Sequence, residues 1–145
     1  MTMGYDELGQ IRKFGVSGSV SVDAREFATA SDTVRGLVVT IVEGQYRDER
    51  AFIDMDEIAD LVAGIDVLLG IKQNPTGFKN FERRYQTRGE LRVTAYSSDV
   101  GIRFAIRAGR VLTASVLTLT DGDLQKFRSM IVAGQEKLST HVKAP

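Results

Sequence analysis

Leu91-Arg92-Val93-Thr94-Ala95-Tyr96-Ser97-Ser98-Asp99-Val100-Gly101-Ile102-Arg103-Phe104-Ala105-Ile106-Arg107 is the stretch that decides the fold of this chain. Leu91, Val93 and Ala95 alternate with Arg92, Thr94 and Tyr96, and then Ile102, Phe104 and Ile106 alternate with Arg103, Ala105 and Arg107. A period of two is that of a half-buried strand, apolar on one face and polar on the other. The small, turn-forming residues between the two runs leave room only for a tight connection, so the strands are antiparallel neighbours. On the N-terminal side, residues 81–87 alternate in the same way and Arg88-Gly89 supplies a turn. On the C-terminal side, Ala108-Gly109-Arg110 turns the chain into a last strand over 111–119. Thr120, with Asp123 three residues on, then caps a helix striped by Leu124, Phe127, Ile131 and Leu138. The tail over 139–145 is expected to fray.

The first half follows the same order. Residues 1–15 carry Gly4, Gly9 and Gly15 with little sustained period, and read as a loosely ordered arm holding at most one short strand. Alternation over 16–22, the β-branched run over 37–42 and the return over 50–53 are strands. Asp54 followed by Glu57 resembles a capping box, and Ile58, Leu61, Val62, Ile65, Leu68 and Leu69 form one apolar stripe. Asn74-Pro75 is expected to stop that helix. The two helix starts, Asp54 and Thr120, lie 66 positions apart, and Gly36-Leu37-Val38-Val39-Thr40-Ile41 corresponds locally to Gly101-Ile102-Arg103-Phe104-Ala105-Ile106. The expected fold is therefore α+β: about seven or eight antiparallel strands packed against two helices in a single domain over 1–145, with a pseudo-repeat of strands then helix.

A chain of 145 residues buries a real core without staples, and 43% hydrophobic with 26% charged residues is ordinary for a globular protein. With no cysteine there are no disulfides, thiolate metal sites or cysteine nucleophiles. No apolar run approaches the roughly 18 residues of a membrane span, and Asp6, Glu7, Arg12 and Lys13 interrupt any leader-like segment, so a cytoplasmic protein without a membrane partner is expected.

Catalytic and cofactor signatures are weak throughout. His141 is the sole histidine and has no evident partner, and no His or Cys cluster offers a metal site. Asp54, Asp56, Glu57 and Asp60 are explained by the helix dipole, which favours negative charge in a first turn. Gly15-Val16-Ser17-Gly18 is not followed by the Lys-Ser/Thr of a phosphate-cradling loop. Neither an enzyme nor a cofactor is expected.

Charge is the informative quantity. The formal net charge is zero, yet residues 1–71 carry six Lys/Arg against thirteen Asp/Glu, and residues 72–110 carry nine against three. The basic middle coincides with the meander. If Leu91, Val93, Ile102, Phe104 and Ile106 face the core, then Arg92, Tyr96, Arg103 and Arg107 share the opposite face. Arg84 and Arg88 are expected to join them. Guanidinium groups with an aromatic ring on one sheet suit an anionic polymer, because arginines track phosphates and rings stack on bases.

The segment from Phe52 to Leu138, with its phrase Asn80-Phe81-Glu82-Arg83-Arg84-Tyr85-Gln86-Thr87-Arg88-Gly89 between helix and meander, resembles small bacterial proteins of unknown function. That likeness implies no activity. The repeated strands-then-helix order is similar in topology to the whirly and transcriptional-coactivator single-strand-binding folds, which implies single-stranded nucleic acid as partner and a tendency to oligomerise. No family motif matches, so no binding residue is transferred. The expectation is a non-catalytic binding module for single-stranded nucleic acid or another anionic partner. The alternative is a structural or homo-oligomerising protein whose basic sheet face docks on an acidic protein surface.

Overall fold

A computed structural model describes residues 1–13, 18–44, 47–109 and 116–142. Two four-stranded antiparallel sheets each lead into a helix. Sheet A is ordered β1 (Thr2–Lys13), β2 (Gly18–Ala28), β3 (Thr33–Glu43), β4 (Arg47–Asp54) and leads through a single 3-10 turn into α1 (Ile58–Leu69). Sheet B is ordered β5 (Glu82–Gln86), β6 (Leu91–Ser98), β7 (Gly101–Ala108), β8 (Val116–Leu119) and leads into α2 (Asp121–Val142). The fold is α+β with eight strands and two helices among the described residues.

Each helix packs chiefly against the sheet of the other half. The α2 helix lies on β1, β2 and β3, whereas α1 lies on β5 and β6, and the two helices touch. A glycine permits close approach at each crossing. A Cβ at Gly134 would fall 2.5 Å from Leu37 Cδ2, and one at Gly64 would fall 2.5 Å from the Tyr85 ring. The exchange ties both halves into one core, in which Val20, Val22, Leu37, Val39, Ile41 and Ile53 of sheet A join Leu91, Val93, Phe104, Ile106 and Leu119 of sheet B. Ile58, Leu61, Ile65 and Leu68 from α1 and Leu124, Phe127, Ile131 and Leu138 from α2 complete it. Arg128 of α2 joins Asp66 of α1 in a two-pronged ion pair at the surface.

Several expectations need correction. The segment read as a loose arm is β1, a strand of twelve residues paired with β2 along its whole length. A bulge between Glu7 and Gly9 shifts its register, so no single period of two runs through it. Asp54 does stand at the start of the first helical turn, but its side chain makes no capping hydrogen bond. The α1 helix ends at Leu69, before Asn74-Pro75; Gly70 N–H donates to Asp66 O at 3.0 Å and the chain then leaves the ladder. Asn74 organises the following loop, donating to Phe78 O and accepting from Thr76 N–H. Of the tail expected to fray over 139–145, the described residues are helical to Val142, with Ser139 and Thr140 hydroxyls donating to the carbonyls of Gln135 and Glu136, and residues 143–145 lie outside the described residues.

The Thr120–Asp123 capping box is present: Asp123 N–H donates to Thr120 Oγ1 at 3.1 Å and Thr120 N–H to Asp123 Oδ2 at 3.0 Å. The sequence Gly15-Val16-Ser17, the turn residue Arg110 and the expected strand positions 111–115 lie outside the described residues. Among the described residues no helix is long and apolar enough to cross a membrane.

Leu61, Phe104 and Ile131 are fully or almost fully buried, one on each helix and one on sheet B. Changing any of them to Ala should lower stability by about 2–5 kcal/mol, through lost burial and the cavity left behind. Urea denaturation measures this; an unmoved midpoint in any variant contradicts the core assignment.

Candidate functional site

The β6–β7 ladder sets the geometry of the basic face. Leu91 pairs with Ala108, Val93 with Ile106 and Ala95 with Phe104, and all six are buried. The intervening pairs, Arg92 with Arg107, Thr94 with Ala105 and Tyr96 with Arg103, therefore point away from the core. Ser98 and Gly101 close the hairpin around Asp99-Val100, with the Ser98 hydroxyl donating to Gly101 O at 2.7 Å.

Strand β5 extends the surface. Arg83 and Tyr85 sit opposite Ala95 and Val93 on the core-facing parity, so Glu82, Arg84 and Gln86 line up with Tyr96, Thr94 and Arg92 on the outer one. Arg84, Arg92, Tyr96, Arg103 and Arg107 thus share one face of sheet B, and among the described residues of β5, β6 and β7 on that face Glu82 is the one carboxylate beside the four guanidinium groups. Arg84 is exposed and lies 3.4 Å from Glu82. Arg92, Tyr96, Arg103 and Arg107 are half-buried among their neighbours. Among the described residues, Arg92 and Arg103 form no ion pair, and the Arg92 Nε is enclosed without a hydrogen-bond partner.

Arg88 does not join them. It lies beyond the end of β5, where strand parity no longer directs its side chain, and it is held at the start of α1. Its Nη2 donates to Asp56 Oδ1 at 2.6 Å, its Nε lies 3.5 Å from Glu57 Oε2, and its backbone N–H donates to that same oxygen at 2.9 Å. The hydrogen bond that Arg88 donates to Asp56, then the charges of Asp56 and Glu57, hold the Arg88 guanidinium above its ordinary range. Glu57, whose type and spacing suggested a capping partner for Asp54, is the buried link between α1 and the β5–β6 turn. That turn also presses on β4, since a Cβ at Gly89 would fall 2.2 Å from Phe52 O.

Two further features escaped sequence reasoning. A cleft of about 410 Å³ lies between α1 and β5, lined by Asp60, Gly64, Val67, Arg83, Arg84 and Tyr85. Burial, then the charges of Glu57 and Asp60, push the Tyr85 phenol above its ordinary range. The other is an apolar end on the outer face of sheet A, where Phe27 meets Phe52 edge to face with centroids 6.1 Å apart and Val34 and Val38 adjoin. Both faces of β3 carry valines, which hides the outward set in a nearly continuous apolar run.

Among the described residues no group of three or more His, Asp or Glu side chains is placed to hold a metal ion. No protein-family model matches the chain, and no curated protein matches it.

Removing the Glu57 carboxylate leaves the Arg88 N–H without its acceptor, so Glu57→Ala should cost about 1–3 kcal/mol, read by thermal or urea denaturation; an unchanged midpoint contradicts the linking role. A native phenol that keeps its proton longer than the unfolded one contributes stability that is full below about pH 10 and is lost as pH rises through its raised native value. Alkaline difference spectroscopy should therefore find a tyrosine phase in the native protein that ionises later than in the unfolded chain, and Tyr85→Phe should remove it. A late phase that survives Tyr85→Phe contradicts the assignment.

Proposed function

We propose that this protein is a non-catalytic binding module whose sheet B outer face takes an anionic polymer, single-stranded nucleic acid being the form that fits best. The observation that carries the reading is the row of register pairs Arg92–Arg107 and Tyr96–Arg103, with Arg84 beside them. An incoming row of phosphates adds charge-assisted contacts to these guanidinium groups while releasing counterions. Tyr96 supplies a ring on which a base stacks, and the arginine planes beside it offer stacking and cation–π contacts. The repeated order of four strands and a helix supports the same reading through the topological likeness to whirly-type single-strand-binding folds.

Fluorescence anisotropy with a labelled single-stranded oligonucleotide tests the proposal. Affinity should fall with salt, with a logarithmic slope of about −0.7 for each phosphate contact. Arg92→Gln, Arg103→Gln and Arg107→Gln together should weaken binding at least about tenfold, the equivalent of some 1.4 kcal/mol. Tyr96→Ala should weaken it by about 1–3 kcal/mol if one base stacks there. Tight binding untouched by the triple change would reject this surface. Binding of an acidic protein instead of the oligonucleotide, lost in the same triple variant, would replace the polymer with a protein partner.

A further inference from the structure

Among the described residues, the β1 edge of sheet A pairs with no further strand. We infer that the N-terminal half of β1 is a self-pairing edge, where a second copy of this chain adds its own β1 antiparallel across a two-fold axis at Gly4 and continues sheet A through the dimer. This inference does not rest on the reading of sheet B.

The four sheet edges differ in how they are protected. Edge strands are normally kept from pairing by shortness, charge, proline or a covering element. Strand β8, four residues long among the described residues, lies beside β3, and β5 has five, carries Arg83 and Arg84, and is flanked by α1. Strand β4 carries Asp48 and Arg50 and is covered at Phe52 by the β5–β6 turn. Strand β1 has twelve residues, and among the described residues its backbone pairs with β2 alone. From Thr2 to Ile11 it contains no Lys, Arg or Pro, its charges being Glu7 at the bulge and Asp6, which Lys137 already pairs. The α2 helix lies against its inner face, where Lys137 reaches Asp6 at 3.0 Å, and among the described residues no strand pairs with the outer edge.

The side chains say what pairs there. Met3 and Tyr5 project on the outer face and are 45% and 61% exposed. Met3 is in register with Phe27, and Phe27 with Val34, itself 42% exposed, so an apolar row runs from the edge across three strands. A partner strand that extends the sheet must bring its own apolar residues to that face, and an identical strand does so when like parities meet. Centring the axis on Gly4 sets Met3 against Tyr5 of the second copy, Tyr5 against its Met3, and Asp6 against its uncharged Thr2. Centring it on Asp6 would oppose two carboxylates, and centring it on Tyr5 would set Glu7 against Met3. The bulge after Glu7 ends the pairing before it reaches the second half of the strand. No described residue lies within 4 Å of where a Gly4 Cβ would be, so a side chain can be introduced there without a clash.

The test uses the full chain, whose lack of cysteine makes any introduced thiol unique. Directly opposed antiparallel residues have Cα atoms about 4.5–5.5 Å apart, within disulfide reach. Gly4→Cys should give a disulfide-linked dimer under mild oxidation, whereas Glu82→Cys on the β5 edge should remain monomeric. Sedimentation of the wild type between about 10 µM and 1 mM, a range suited to a short strand pairing, should shift from monomer to dimer. Met3→Lys with Tyr5→Lys should abolish that shift while leaving the circular dichroism spectrum and melting temperature unchanged. A wild type that stays monomeric across the range overturns the inference. So does a dimer that survives the double Lys change, or a Gly4→Cys variant that links no faster than Glu82→Cys.

Discussion

Pleat parity in the β6–β7 hairpin is the constraint on which the rest depends. The two-residue tip at Asp99-Val100 fixes the register, and that register sends Leu91, Val93, Ala95, Phe104, Ile106 and Ala108 into the core. The same geometry compels Arg92, Tyr96, Arg103 and Arg107 to the outside. A slip of one residue would bury several guanidinium groups, at a cost far above what hydrophobic burial returns. Core and candidate site are therefore two consequences of one alternation.

The helices make that hairpin part of a larger unit. Because α2 seats mainly on sheet A and α1 on sheet B, neither half completes its own core. Gly64 and Gly134 set how closely the helices approach, and the Arg88–Glu57–Asp56 cluster ties the β5–β6 turn to the start of α1. The outer faces of the two sheets are left with different chemistry. On sheet B the outer face is mostly cationic and polar, and on sheet A one end is apolar and aromatic. One chain thus carries two outer sheet faces of different chemistry.

What could be read from the sequence depended on whether neighbouring residues alone set the local structure. The hairpin and the Thr120–Asp123 cap were legible because strict alternation, a short tip and a box of four residues are local signals. Strand β1 was not legible, since the bulge between Glu7 and Gly9 breaks its period and scattered glycines imitate a loop. The Asp54–Glu57 pattern misled for a different reason. Glu57 finds its partner in Arg88, 31 residues away, and no local rule anticipates that competition. Arg84, Arg92, Tyr96, Arg103 and Arg107 came together as alternation required, whereas Arg88 stands past the strand end and answers to nearby carboxylates instead.

Thiol reactivity in native single-cysteine variants probes this parity most directly. Thr94→Cys and Arg103→Cys should react rapidly with a thiol reagent in the folded protein, whereas Val93→Cys and Ala95→Cys should stay protected until denaturant unfolds it. Equal reactivity at all four positions, or protection at 94 and 103 with exposure at 93 and 95, would contradict the account.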